Sequence, residues 1–385
     1  MQKGIFHLKG VVKHYDWGGS TYIFRLLNIE NTGERPVAEY WLGTHTLGTA
    51  LVKINDEEKK LSEITGDLPF LLKVLDVKEM LSIQVHPSKA GAESGFEEEN
   101  RSGIPIESPL RNYKDKNHKP ELMIALSDFW LLHGFKTKKE IEFTLLNVPE
   151  LRELLPVFNQ HGYHGLYNFL MTMPQADVNR ILQPLLSTLT ETYTDSVPDK
   201  NDEDYWVQKA MKLFCLPDHI DRGIFSIYLM NLVHLKKGEG IFQAAGIPHA
   251  YLEGKNVEIM ANSDNVLRGG LTNKHIDVNE LLKNVKTEAV VPQILHPDKQ
   301  SNNEESYAVS TEEFLLSIYT LDKNESVEFK LDNPGILLLT DGHATIKSEK
   351  DRIELKPGQP AALILPGYET KIAALDGATI FKASF

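Results

Sequence analysis

The sequence predicts a mainly β protein with a helical insert: two jelly-roll β-sandwich domains plus an α-helical subdomain. Three observations carry this. Residues 1–135 alternate short apolar runs with Gly, Pro and polar turns, the texture of short strands. From about 138 to 217, leucines recur near a period of 3.6 and glycine is confined to Gly162 and Gly165. From Glu313 to Phe385 the chain is again strands and turns, as in a sandwich or barrel.

In the first segment, Ile5-Phe6, Val37–Leu42, Phe70–Leu75, Met80–His86, Leu122–Leu126 and Trp130–Gly134 read as strands. A long polar stretch lies between Pro87 and Pro120. Stretches this long inside a domain are often lids or binding loops. Its acidic run Glu97–Glu99 reads as a solvated helix face. In the second segment, Ile141, Leu145, Leu151, Leu154, Ile181, Leu182, Leu185 and Leu186 mark helices. Pro149, Pro156, Pro174, Pro184 and Pro198 mark their starts or the breaks between them. Strand texture returns over Ile224–Leu235, residues 276–287 read as a short helix, and 288–305 as a linker. The expected division is therefore one sandwich from 1–137 with 218–290, an insert at 138–217, and a second sandwich at 291–385.

A weak internal repeat supports two sandwiches. Leu235-Lys236-Lys237-Gly238-Glu239-Gly240 leads to Ile247-Pro248-His249, and Leu355-Lys356-Pro357-Gly358-Gln359-Pro360 leads to Leu365-Pro366-Gly367. Gly367 stands where the first copy has His249, so the C-terminal sandwich is expected to lack metal ligands.

Composition narrows the function. A net charge of −13 argues against nucleic acid as a bulk partner, so an anionic substrate needs a local cluster of Lys and Arg. One cysteine, Cys215, excludes an intramolecular disulfide and a multi-thiolate zinc site. Met1–Phe6 lacks an apolar core of signal-peptide length, and no run of about 18 apolar residues could span a membrane. The expectation is a cytoplasmic monomer with no membrane partner. No Gly-rich nucleotide loop leads into a helix.

Four stretches carry chemistry. In Ser82-Ile83-Gln84-Val85-His86-Pro87, strand alternation puts Ser82, Gln84 and His86 on one face and Leu81, Ile83 and Val85 on the other. Asn117-His118-Lys119-Pro120-Glu121 offers a carboxylate with a lysine on the same face. Gly246-Ile247-Pro248-His249-Ala250-Tyr251 places a histidine at a strand start. Glu258–Lys274 is dense in small polar residues around Arg268-Gly269-Gly270. Taken singly, each has a plain structural explanation: a satisfied histidine, a solvent-facing strand or a surface arginine. Together they supply two imidazoles, a carboxylate and an amide oxygen, an N2O2 set that suits zinc, iron or manganese.

With Tyr15-Asp16-Trp17-Gly18 and Ala38-Glu39-Tyr40-Trp41-Leu42-Gly43-Thr44-His45, these stretches resemble, in order and over essentially the whole chain, the type I phosphomannose isomerase family. The resemblance implies a cupin-like catalytic sandwich, an inserted helical domain and a second cupin-like sandwich. It implies one Zn2+ per chain held by Gln84, His86, Glu121 and His249. It also implies interconversion of mannose 6-phosphate and fructose 6-phosphate, with a hexose 6-phosphate as the partner. Tyr40 departs from an expected aliphatic residue. Arg268, which stays protonated, is expected to stabilise the enediolate. Lys119 and Glu258 rank equal as proton carrier, ahead of His118 and then Asp264. Lys73, Ser82 and Lys274 are the expected phosphate contacts, with Lys89 a further option, and Trp17 and Glu39 are expected to line the sugar site. The rivals are an iron oxygenase on the same sandwich, a non-catalytic sugar-binding cupin, and an isomerase for another hexose phosphate.

Overall fold

Side-chain alternation along three neighbouring strands organises the protein, whose computed structural model describes residues 4–33, 35–54, 57–194, 196–300 and 303–385. Glu39–His45, Phe70–Val77 and His249–Ala261 pair antiparallel, with Tyr40, Val74 and Val257 in one cross-strand row and Trp41, Lys73 and Glu258 in the next. The first row, with Leu42, Leu72, Ile124 and Ile259, packs against a second sheet. Burying each such side chain contributes roughly 1.5–3 kcal/mol. The second row carries charge on the opposite face. Tyr40, the residue expected to be aliphatic, joins the apolar row and satisfies its hydroxyl by accepting from Gly10 N at 2.8 Å.

Among the described residues there are two eleven-stranded sheets. The second is built from the strands from Asp298 onward together with Ile5–Lys9, Leu51–Ile54 and Glu57–Lys60. These three segments were expected in the first sandwich. Ile5–Lys9 instead pairs with Ala361–Ile364, from Ile5 opposite Ile364 to Leu8 opposite Ala361. The reason is burial on both faces: Ile5 enters the interior of the C-terminal sandwich, while Phe6 and Leu8 enter the core between the sheets. The internal repeat corresponds to two turns of the same shape. Glu239 N donates to Lys236 O and Gln359 N to Lys356 O, both at 2.9 Å, around Gly238 and Gly358 with φ of 89° and 91°.

The helical segment starts where the sequence supplies a cap. Thr137 accepts from Glu140 N, and the Glu140 carboxylate accepts from Thr137 N, so Lys138–Asn147 begins with a reciprocal capping box. Leu155–Thr172 kinks at Gly162, which has φ +61°. Pro184 does not break a helix: it lies inside Gln175–Thr192, whose buried stripe of Val178, Ile181, Leu182, Leu185, Leu186 and Leu189 outweighs the proline penalty of about 3 kcal/mol. Gly223–Leu229, expected as strand, is a helix buried on every side, a case in which periodicity does not separate the two. The expected helix at 276–287 forms over Val278–Asn284.

The polar stretch after Pro87 begins with a helix, Lys89–Arg101, capped by Ser88. Glu99 is not solvated, as its acidic run suggested. It is buried, accepts from Asn112 N and Tyr113 N at 2.9 Å, and pairs with Arg111 Nε at 2.9 Å. One carboxylate thus folds residues 111–113 back onto the helix. Glu99→Ala leaves the buried Arg111 guanidinium with neutral acceptors but no counter-charge, and is expected to cost about 3–5 kcal/mol in urea unfolding. A loss below about 1 kcal/mol would show that the pair is not the anchor.

Candidate metal centre

The centre is built from strand starts and short pairings. Glu121 opens Glu121–Ala125, and His249 opens the long strand His249–Ala261. Gln84-Val85 forms only a two-residue strand, which sets Gln84 opposite His249 on one side and Arg268 on the other. His86, Glu121 and His249 converge, with ligand atoms all within 4.8 Å of one another, and all three are buried. His86 Nε2 lies 3.3 Å from Glu121 Oε1, and His249 Nε2 lies 3.3 Å from Glu121 Oε2.

The outer ring nitrogens fix what the inner ones offer. His86 Nδ1 donates to Asn265 O at 2.8 Å, and His249 Nδ1 donates to Ile247 O at 3.0 Å. A carbonyl only accepts, so Nδ1 carries the proton in both rings and each neutral ring turns an Nε2 lone pair inward. His86 Nε2 makes no hydrogen bond. Burial holds His86 below its ordinary range, with Lys119 acting the same way, against the opposing pull of Glu121. Burial works against the Glu121 charge, but Lys119, 3.0 Å away, and the two imidazoles hold it well below the usual carboxylate range. Two lone pairs facing a buried carboxylate repel one another unless a cation stands between them. The donor set therefore fits a divalent metal such as zinc, with Gln84 beside it.

The centre opens into a cavity of about 950 Å³. Its floor is the charged row. Lys73 Nζ donates to Glu258 Oε1 at 3.0 Å, and Tyr251 OH donates to Glu258 Oε2 at 2.8 Å. Burial disfavours the Lys73 charge, but Glu258, Glu39 and Glu121 outweigh it and hold the ammonium above the ordinary lysine range. Burial pushes Glu39 up despite Lys73 and a hydrogen bond from the Trp41 indole. Burial also opposes the Asp264 charge, yet His45 at 3.3 Å, backed by Lys119 and Lys73, holds that carboxyl below its usual range. Arg268 is lowered by burial, and Lys274 by burial and by Arg268. Among the described residues, neither cation has a carboxylate within ion-pair distance.

Of the residues singled out in the sequence, Glu39, Lys73, Gln84, Lys119, Glu121, His249, Glu258, Asp264, Arg268 and Lys274 line this cavity. His86, wholly buried, does not, nor do Ser82, Trp17 and His118. The chain is not a strand at 80–83, so alternation fails there: Leu81 faces the cavity and Ser82 does not. Trp17 packs behind the floor and stacks on Tyr15, which does line the cavity. His118 Nε2 pairs with Glu313 of the C-terminal region, and Lys89 is an exposed partner of Asn117. Among the lining residues that were missed are His45, Tyr251 and Lys114. His45 shares the face of Glu39 and Trp41, and Tyr251 shares that of His249, so alternation could have found both. Lys114 lies in an irregular loop with no periodic signal, held by Ile106 O and Ser108 O.

Gln84→Leu removes the amide oxygen of the residue paired opposite His249. It should weaken zinc binding by at least about tenfold in a chelator competition. Val85→Ala, on the opposite, core-facing side, should cost about 2 kcal/mol of stability and keep zinc affinity.

Comparison with known proteins places this geometry. The profile of the phosphomannose isomerase type I catalytic domain matches residues 5–138. Mannose-6-phosphate isomerase of Escherichia coli is 36% identical over 372 residues, covering 91% of this chain and 92% of that protein. The Saccharomyces cerevisiae enzyme of the same name is 32% identical over 422 residues, covering 93% of each. A crystal structure of mannose 6-phosphate isomerase from Salmonella typhimurium, bound to its substrate F6P and zinc, is 31% identical. It superposes with a TM-score of 0.85 and covers 98% of this chain and 99% of its own. The identities and the coverage together show that the chain belongs to the type I phosphomannose isomerase family.

Proposed function

We infer that this protein is a zinc-dependent aldose–ketose isomerase that interconverts mannose 6-phosphate and fructose 6-phosphate. The observation that carries this is one cavity joining a two-imidazole, one-carboxylate metal site to Arg268, Lys119, Lys73 and Lys274. Zinc held by His86, Glu121 and His249, with Gln84, would supply a Lewis acid to the cavity.

The reaction needs an open-chain sugar, removal of the proton on C2, an enediolate, and delivery of a proton to C1. Negative charge grows on O1 or O2. Arg268 stands opposite the metal-site residue Gln84 and has no carboxylate neutralising it, so it is positioned to stabilise that charge. Lys274 is the second unpaired cation and is assigned to the phosphate. Lys73 is already matched by Glu258, so its part is to hold that carboxylate and orient hydroxyls. Of the ranked proton carriers Lys119, Glu258 and Asp264 stand in the cavity, and the first two remain ahead. Among the described residues Lys119 is bonded to Glu121 alone, whereas both oxygens of Glu258 are engaged, by Lys73 and by Tyr251. As base, Lys119 must first lose its proton, while Glu258 would take the proton on a lone pair that Lys73 and Tyr251 leave free.

The C-terminal sandwich is assigned to packing and shielding of the catalytic sheet. In support, the two share one apolar core, Tyr307 OH donates to Gly238 O at 2.7 Å, and Glu313 meets His118. No helix among the described residues is long and apolar enough to cross a membrane. We assign the protein to the cytoplasm, a reading supported by its single cysteine, and take it to act as a monomer.

A coupled assay with mannose 6-phosphate is expected to show turnover that a chelator abolishes and zinc restores. No turnover after reconstitution would overturn the isomerase reading. Arg268→Lys should lower kcat by about 10²–10³ with zinc still bound. If Lys119→Met and Glu258→Gln both kept near-normal turnover, neither would be the carrier.

A further inference from the structure

We propose that Asp221 is the positioning residue for Arg268, and that through Asp221 the helical insert holds the arginine loop in place. This rests on the assignment of Arg268 above. Arg268 sits on a two-residue strand, and the chain then turns sharply through Gly269-Gly270-Leu271. On one side the turn is tied to the Gln84 strand: Gly269 N donates to Ile83 O at 2.9 Å and Ile83 N to Gly270 O at 3.0 Å. On the other side its backbone is collected by a single carboxylate. Asp221 Oδ1 accepts from Leu271 N at 2.8 Å and from Gly223 N at 2.6 Å, and Oδ2 accepts from Thr272 N at 3.1 Å.

The turn needs such an anchor because its backbone is strained. Gly270 has φ +124° and Leu271, a buried non-glycine residue, φ +54°. The two chains touch so closely that a Cβ on Gly270 would stand 2.5 Å from Gly223 Cα. Asp221 is itself buried and does not line the cavity, so it reaches the chemistry only through the loop.

The segment carrying Asp221 is held by the insert. Asn179 accepts from Ile220 N at 3.0 Å and donates to Asp218 O at 2.8 Å, and Gln175 donates to Ile220 O at 2.9 Å. Arg222 donates to Met171 O. These partners lie on Leu155–Thr172 and Gln175–Thr192. From the first of those helices Tyr167 also abuts Gly269: its hydroxyl lies 2.8 Å from where a Cβ would be, and has no hydrogen-bond partner. The insert thereby supplies one wall of the arginine loop.

The test is a double-mutant cycle on the zinc-loaded enzyme, with Asp221→Asn, Arg268→Lys and both together. Asparagine keeps the shape but turns an N–H toward Thr272 N. Asp221→Asn alone should lower kcat about tenfold with KM within about twofold and zinc content unchanged. In the Arg268→Lys background it should change kcat by less than about twofold. Equal losses in both backgrounds, no loss in the first, or a loss tracking zinc content would overturn the proposal. A full-rate Arg268→Lys enzyme would instead overturn the role of Arg268 itself, and the positioning role with it. Asn179→Ala is the second variant, in case Asp221→Asn does not fold. It should show the same pattern at about threefold, and a normal kcat would remove the insert from the mechanism.

Discussion

Two imidazole lone pairs and a carboxylate face one another on three buried residues, and no proton stands between the rings and the acid. Such a cluster is repulsive on its own and holds together only around a cation. Its orientation is imposed from outside, by the carbonyls of Asn265 and Ile247. Asn265 is itself pinned: its side chain accepts from Lys114 N at 2.7 Å and donates to Asp115 O and Asn117 O at 2.8 Å. The loop that covers one side of the cavity and the tautomer of His86 are therefore set by the same residue.

The cavity shows how an acidic protein hosts an anionic substrate. The net charge of −13 says nothing about the local field, because the cavity sorts its charges. Toward the floor, Lys73 is enclosed by Glu39 and Glu258. Toward Arg268 and Lys274 the positive charge is uncompensated. Burial lowers both of these cations, so their charges are costly when the cavity is empty and are relieved by an incoming anion.

Much of the site was legible because strand alternation and burial act over a few residues. The row of Glu39, Trp41 and His45 and the pair His249 and Tyr251 follow from a period of two. Where the backbone leaves the strand, at 80–83, the same rule put Ser82 and Leu81 on the wrong faces. The long strand shows the limit most plainly. His249 and Glu258 differ in parity, so an unbroken strand would point them to opposite faces. A register shift lies where Trp130 meets Glu253 but Leu131 meets Tyr251, next to Gly254 at φ +139°. This bulge lets Tyr251 and Glu258 meet in one cavity.

The sequence by itself determined the local matters: the helical insert, the apolar and polar strand faces, the capped helix starts, and the residue types able to hold a metal. These depend on period and composition, which short stretches carry in full. Only the tertiary structure decided the contacts made at long separation. Ile5–Lys9 joined the C-terminal sheet because both its faces needed burial. Glu99 turned inward because Arg111 and two backbone N–H groups needed an acceptor. Asp221 came to hold the Arg268 loop because the adjacent Leu271 and Thr272 N–H groups, distant in sequence, meet its carboxylate beside its near neighbour Gly223 N. Such partners are chosen by unsatisfied polar groups meeting in space, and no spacing along the chain records that meeting.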